Sequence, residues 1–276
     1  MFTEYLRPES VEEAFRTLQE LGENARLVGG GTDLIVHPPA DVTTLVDLSH
    51  TGLGRIDADD TGFHIGASTT LTDVLDYPPF ADIWSGVLPA MLSQVASPLH
   101  RNAASIGGHL ARGRLSDVVP VLLAIDAKIS FYDGGHHQLP LTEFYSTRKN
   151  RTRLIVTEVH LDRDFASAAF RKFARTTYDL AILNAACAVR VEDDAVSWAR
   201  VVVGERPTLA VELSEASSVL VGRSLDTETI GRTANKAMQT VEVRSDPRAS
   251  AGYRRHLTEV LVRRCLTEVA GEKVYA

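Results

Sequence analysis

The sequence predicts an α+β chain, with an α/β N-terminal part followed by a smaller C-terminal domain of antiparallel strands and helices. Three patterns lead there. Helical periodicity alternates with short apolar runs around two glycine-rich segments in the first half. From about residue 154 the pattern becomes short strands separated by turns. Amphipathic helical stretches close the chain.

The elements follow in order. Residues 8–21 place Val11, Ala14, Phe15, Leu18 and Leu21 on one helical face, with Ser10 as N-cap and Glu13 completing a capping box. Ala25–Val28 and Thr44–Leu48 read as strands around the first glycine segment, and Phe63–Ala67 as a third. Thr70–Leu75, Leu88–Val95 and Val118–Asp126 read as helical, and Ala127–Tyr132 as a strand entering a hairpin turn at Asp133-Gly134-Gly135. Leu154–Leu161, Ala168–Phe173, Ala181–Val191 and Ser197–Val203 read as strands, with Asp193-Asp194 turning the last pair. Helices are expected at 213–221, 226–239 and 248–270. Ser245 or Asp246 is expected to cap the last, with Pro247 in its first turn.

Two segments carry the functional signal. The first is Leu27-Val28-Gly29-Gly30-Gly31-Thr32-Asp33-Leu34. Glycine lets the chain take positive φ and brings N–H groups close to a ligand, and successive inward N–H groups form an anion-binding concavity. The second is Ser105-Ile106-Gly107-Gly108-His109, leading to Ser116-Asp117. It is read as a loop that exposes backbone donors again, with a serine hydroxyl added. Two such loops can grip one pyrophosphate from two sides. Thr32 and Ser105 are candidate donors, and Asp33 and Asp117 candidate acceptors for ribose or ribityl hydroxyls. Neither segment fits a P-loop or a Rossmann fingerprint.

Composition narrows the classes further. The 276 residues carry a net charge of −7, which argues against a general nucleic-acid binder. No apolar run approaches the roughly 20 residues needed to span a bilayer, and no signal peptide is visible at the N-terminus. The only cysteines, Cys187 and Cys265, are far apart in sequence and lie outside any C-x-x-C, which suits a reducing cytoplasm. Two thiols cannot hold an iron–sulfur cluster, which is usually ligated by four. The nine histidines show no metal-ligand spacing, so no metal site is expected.

The chain resembles the FAD-binding medium subunit of the molybdenum hydroxylases, the group that includes medium subunits of carbon monoxide and nicotinate dehydrogenases and the flavin domain of xanthine dehydrogenase. The matching pieces occur in order along nearly the whole chain: Tyr5–Ala14, Gly29–Leu34, Arg101–Gly108, Ser116–Pro120, Phe170–Arg175, Asp179–Ala181 and Ser245–Arg255. The resemblance implies a PCMH-type FAD-binding domain over 1–172. It implies a C-terminal domain over 173–276 with a three-stranded antiparallel sheet and helices. It implies FAD with its diphosphate between 29–33 and 105–109, Leu27, Val28, Leu34 and Ile155 packing around it, and Lys172 near the flavin. It also implies a large molybdopterin subunit, a small [2Fe–2S] subunit, and an acceptor such as NAD⁺, a quinone or O₂.

The chain departs from the family's pattern after the second segment. His109 stands where Asn is usual, and 109–117 is one residue shorter and lacks a proline. A standalone flavoenzyme of the same fold and a flavin-free scaffold subunit therefore stay open as alternatives. Gly30→Val and Gly107→Val are expected to abolish FAD retention with the fold largely intact.

Overall fold

The computed structural model describes residues 2–147, 153–163, 166–205 and 208–271. These fall into two compact units. The first comprises 1–74, 97–112 and 126–163, and the second 75–96, 113–125 and 164–276. The division expected at 172/173 falls at the end of the strand Ser167–Phe173.

In the first unit the helix Val11–Leu21 starts as its sequence dictates. Ser10 Oγ accepts from the Glu13 N–H at 3.1 Å, and the Glu13 carboxylate accepts from the Glu9 N–H at 2.8 Å, one residue ahead of the cap. Its apolar face buries Val11, Ala14 and Leu18 against Ala25, Val46, Leu48 and Ile155. Beneath it lies a parallel three-stranded sheet in the order Glu4–Leu6, Thr44–Asp47, Ala25–Val28. Its central strand is buried throughout, as a strand covered on both faces must be.

A second sheet in this unit is antiparallel and five-stranded. Its order is Ile56–Ala58, Gly62–Gly66, Ile155–Asp162, Lys128–Tyr132, His136–Pro140. The last pair is the expected hairpin, turned at Asp133–Gly135 with Gly134 at φ 110°.

In the second unit an antiparallel sheet has the order Val211–Glu212, Ala195–Glu205, Leu183–Glu192, Ser167–Phe173. Three strands were expected here. The fourth has two residues, too short to show an alternating pattern. The Asp193-Asp194 turn holds both residues at positive φ, 50° and 62°, as a two-residue hairpin of matching twist requires. Leu183, Ala185, Cys187 and Val189 face the helices Ser214–Leu220, Thr227–Thr240 and Ala251–Val269 in one apolar core. The helix Val118–Ala124, all seven residues buried, packs on the strands 183–192 and 195–205. The last helix is capped by Ser250, whose Oγ accepts from the Tyr253 N–H at 3.2 Å, not by the expected Ser245 or Asp246. Asp246 is occupied elsewhere: its carboxylate accepts from the N–H groups of Arg248 and Ala249 and pairs with Arg254. Among the described residues no helix is long and apolar enough to cross a membrane.

Candidate cofactor site

The strand Ala25–Val28 delivers the chain into Gly29-Gly30-Gly31, and Gly31 takes φ 68° before a turn in which Ile35 N–H meets Gly31 O at 3.0 Å. Gly29 and Gly30 are exposed, and Gly31 to Leu34 are half-buried. Among the described residues the N–H groups of Gly29, Gly30, Gly31 and Thr32 make no hydrogen bond. That leaves four consecutive backbone donors unspent at one exposed turn.

The glycines also serve the chain itself. A Cβ on Gly30 would lie 1.5 Å from the Ala103 carbonyl oxygen, and one on Gly29 would lie 2.7 Å from Ser105 Oγ. A Cβ on Gly107 would lie 2.6 Å from both Cβ and O of Ala67. So within the first unit Gly30 is pressed against the backbone at Ala103, just ahead of the second segment, and Gly107 against Ala67. The expectation that Gly30→Val and Gly107→Val leave the fold intact is corrected: at both positions a side chain collides with the protein before it reaches a ligand.

The second segment is not a loop. Ser105 bridges Thr70, and Ile106–Arg112 is a helix. Its first amides are already used: Ile106 N–H donates to Thr69 O, Gly107 to Ala67 O, Gly108 to Ser105 Oγ and His109 to Ser105 O. The expected second set of free backbone donors is therefore absent at 106–109. Ser105 Oγ accepts one bond, which leaves its hydroxyl proton to give.

Charge at this end comes from Arg112, whose guanidinium meets the Asp33 carboxylate at 2.7 Å, while His37 lies 3.4 Å from the same oxygen. His109 supplies none. Desolvation first, then His100 and Arg112, push its pKa down to about 4 against the opposing pull of Asp33, so the imidazole is neutral near pH 7. Val28 and Ile155 are buried, and Leu27 is half-buried against the same core as Ile155.

Ser116, Asp117 and Lys172 belong to the second unit. Ser116 Oγ accepts from the N–H groups of Val118 and Val119 at the head of the helix Val118–Ala124. Asp117 is buried, and its Oδ2 pairs with Lys172 Nζ at 2.7 Å. Only 4% of the Lys172 side chain is exposed, and its Nζ donates also to the Gln94 carbonyl at 3.2 Å. Breaking such a buried pair strands a charge and costs about 3–5 kcal/mol. The residue that sequence reasoning missed is Asn184, whose Nδ2 donates to Asp117 Oδ1 at 2.7 Å. Its signal was present as a lone amide inside the apolar run Leu183–Val189.

Residues 1–162 match the FAD binding domain in molybdopterin dehydrogenase. The chain belongs to that family. Residues 168–269 match the CO dehydrogenase flavoprotein C-terminal domain. The chain is 28% identical to the 6-hydroxypseudooxynicotine dehydrogenase complex subunit alpha of Paenarthrobacter nicotinovorans, covering 96% of this chain and 93% of the relative. It is also 28% identical to the nicotinate dehydrogenase FAD-subunit of Eubacterium barkeri, covering 96% and 95%. The fold superposes on a carbon monoxide dehydrogenase chain from Hydrogenophaga pseudoflava with TM-score 0.90 at 25% identity, over 98% of both chains.

As a molybdopterin dehydrogenase FAD-binding chain, the protein is an oxidoreductase flavoprotein whose cofactor is FAD. The first unit offers a donor set that fits a dinucleotide diphosphate. Four unspent amides at 29–32 stand at an exposed turn beside a guanidinium on the neighbouring helix. No group of three or more His, Cys, Asp or Glu that could hold a metal ion occurs among the described residues.

Proposed function

We propose that this chain is the electron-transfer flavoprotein subunit of a molybdenum hydroxylase. The observation that carries the reading is the run of free amides at Gly29–Thr32 in a chain of this family. In the proposed arrangement Gly29, Gly30, Gly31 and Thr32 hold the FAD diphosphate by their N–H groups. Ser105 donates its hydroxyl, and the segment Ile106-Gly107-Gly108-His109 forms the wall behind it. Asp33 exchanges part of its ion pair with Arg112 for a cofactor hydroxyl. Leu27, Val28, Leu34 and Ile155 give an apolar bed. Ser116, through the helix it caps, fixes Asp117, whose oxygens each keep a second lone pair. Lys172 brings an ammonium to the flavin end, where it favours added negative charge.

When bound, FAD would supply a carrier that takes electrons from [2Fe–2S] clusters and returns them to an acceptor such as NAD⁺, a quinone or O₂. The clusters belong to a small partner subunit and the molybdopterin to a large one, because this chain has only two cysteines, both buried. Those two free thiols support work in a reducing cytoplasm.

The test is co-expression with the neighbouring reading frames, followed by isolation of the complex. The expected result is co-elution with a cluster-bearing chain and a molybdopterin-binding chain, and flavin absorption near about 370 and 450 nm. Failure of the purified chain to take up FAD on reconstitution would overturn the reading.

A further inference from the structure

We propose that Asn184 is a positioning residue for the flavin, acting through Asp117 on Lys172; this rests on the FAD reading above. Asn184 is 3% exposed and lies in a strand whose neighbours Leu183, Ala185 and Ala186 are all buried and apolar. Its two amide atoms meet different fates. Nδ2 donates to Asp117 Oδ1 at 2.7 Å, whereas Oδ1 is buried with no hydrogen-bond partner among the described residues. That oxygen occupies the place where a Cβ on residue 204 would stand, 2.0 Å from it, and residue 204 is glycine. A leucine of similar size would fill the same space without an orphaned oxygen. The one thing the amide adds is the hydrogen bond to Asp117.

That bond fixes a direction. A carboxylate held at one oxygen can turn about its Cβ–Cγ bond; held at both, it cannot. With Oδ1 tied to Asn184, Oδ2 is aimed at Lys172 Nζ. Lys172 gives a second N–H to Gln94 O, and its third N–H has no acceptor among the described residues. The third is the one free for a ligand, and its direction is set once the other two are committed. Asn184 thus aims a donor that it does not touch, and Gly204 makes room for the aiming group.

The test uses the full chain with and without FAD, in the variants Asn184→Leu, Gly204→Ala and Lys172→Met and their combinations. In the apo chain, the rate at which acetic anhydride labels Lys172 is read by mass spectrometry. In the loaded chain, the flavin midpoint potential is read. For Asn184→Leu, labelling is expected to rise about tenfold, as for loss of one charge-assisted hydrogen bond. The potential is expected to fall by about 30 mV, a tenfold change for a two-electron couple. The shift should vanish in the Lys172→Met background. Gly204→Ala, which pushes the amide aside and leaves the three groups in place, should move both readings the same way, and it decides the matter if Asn184→Leu does not fold. Unchanged labelling in folded variants overturns the proposal. So does a potential that stays fixed while labelling rises, or a shift that persists without Lys172. If the chain takes up no FAD, the cofactor reading fails while the labelling still judges the contact.

Discussion

Gly30 shows how a residue chosen for a ligand can be fixed first by the protein. A single added methyl at Gly30 meets a carbonyl oxygen at 1.5 Å, and backbone cannot yield as a side chain can. Gly30→Ala is therefore expected to cost the apo chain about 2–4 kcal/mol, in the range of severe overpacking or strain, read as a lower urea midpoint. Gly29→Ala meets only a serine hydroxyl, so it should fold and instead weaken FAD retention; equal retention in that variant would argue against the amide run as the diphosphate site. Away from this site, His64 stands between Glu158 at 3.0 Å and Asp59 at 3.2 Å, with His160 beside it at 3.5 Å. Burial alone would lower its pKa, but the two carboxylates outweigh it and raise it above the ordinary 6.5. A raised folded-state value stabilises the fold fully below the unfolded value and loses that contribution as pH rises through the folded one. Stability should thus fall as pH rises above about 6.5 in the native chain, and fall less in His64→Gln, as urea titrations from mildly acidic pH upward would show.

At the scale of elements, what the sequence disclosed depends on where each element's stability arises. The helix Val11–Leu21 was legible because its cap, its apolar stripe and its length all lie within fourteen residues. The helix Ile106–Arg112 was not, because two glycines in its first turn lower its intrinsic propensity. It forms because carbonyls at Ala67 and Thr69, almost forty residues earlier, receive its first amides. The same holds for the site. The amide run at 29–32 could be read from glycines, but the use of Asn184 depends on a strand partner and a distant helix. The cap of the last helix moved to Ser250 because Arg254, fully buried, claims Asp246. Arg254 also donates to the carbonyls of Ile182, Arg244 and Ala249. Ser250→Ala should therefore cost about 1 kcal/mol, the usual loss of a cap. Arg254→Met should cost about 3–5 kcal/mol, since it strands a carboxylate and several carbonyls. Thermal melts of the two variants check the ranking.

Across the whole molecule the chain passes between its two units five times, at 74/75, 96/97, 112/113, 125/126 and 163/164. A fragment cut at the last crossing, residues 164–276, keeps its sheet but loses the helix Val118–Ala124 that covers the strands 183–192 and 195–205. It is expected to be insoluble or to bind a hydrophobic dye strongly when expressed alone. Supplying 75–125 in trans should lessen this, and a well-dispersed amide spectrum from the fragment by itself would count against the division. The same weaving sets an order of events during synthesis. The helix Val118–Ala124, without a single charged side chain, leaves the ribosome long before its covering strands, the later of which ends at Glu205. At ~5–20 residues per second that interval is roughly four to sixteen seconds. For that time the nascent chain carries an unshielded apolar segment, a natural client for a holding chaperone, and its yield in cells will follow chaperone supply more closely than its finished stability.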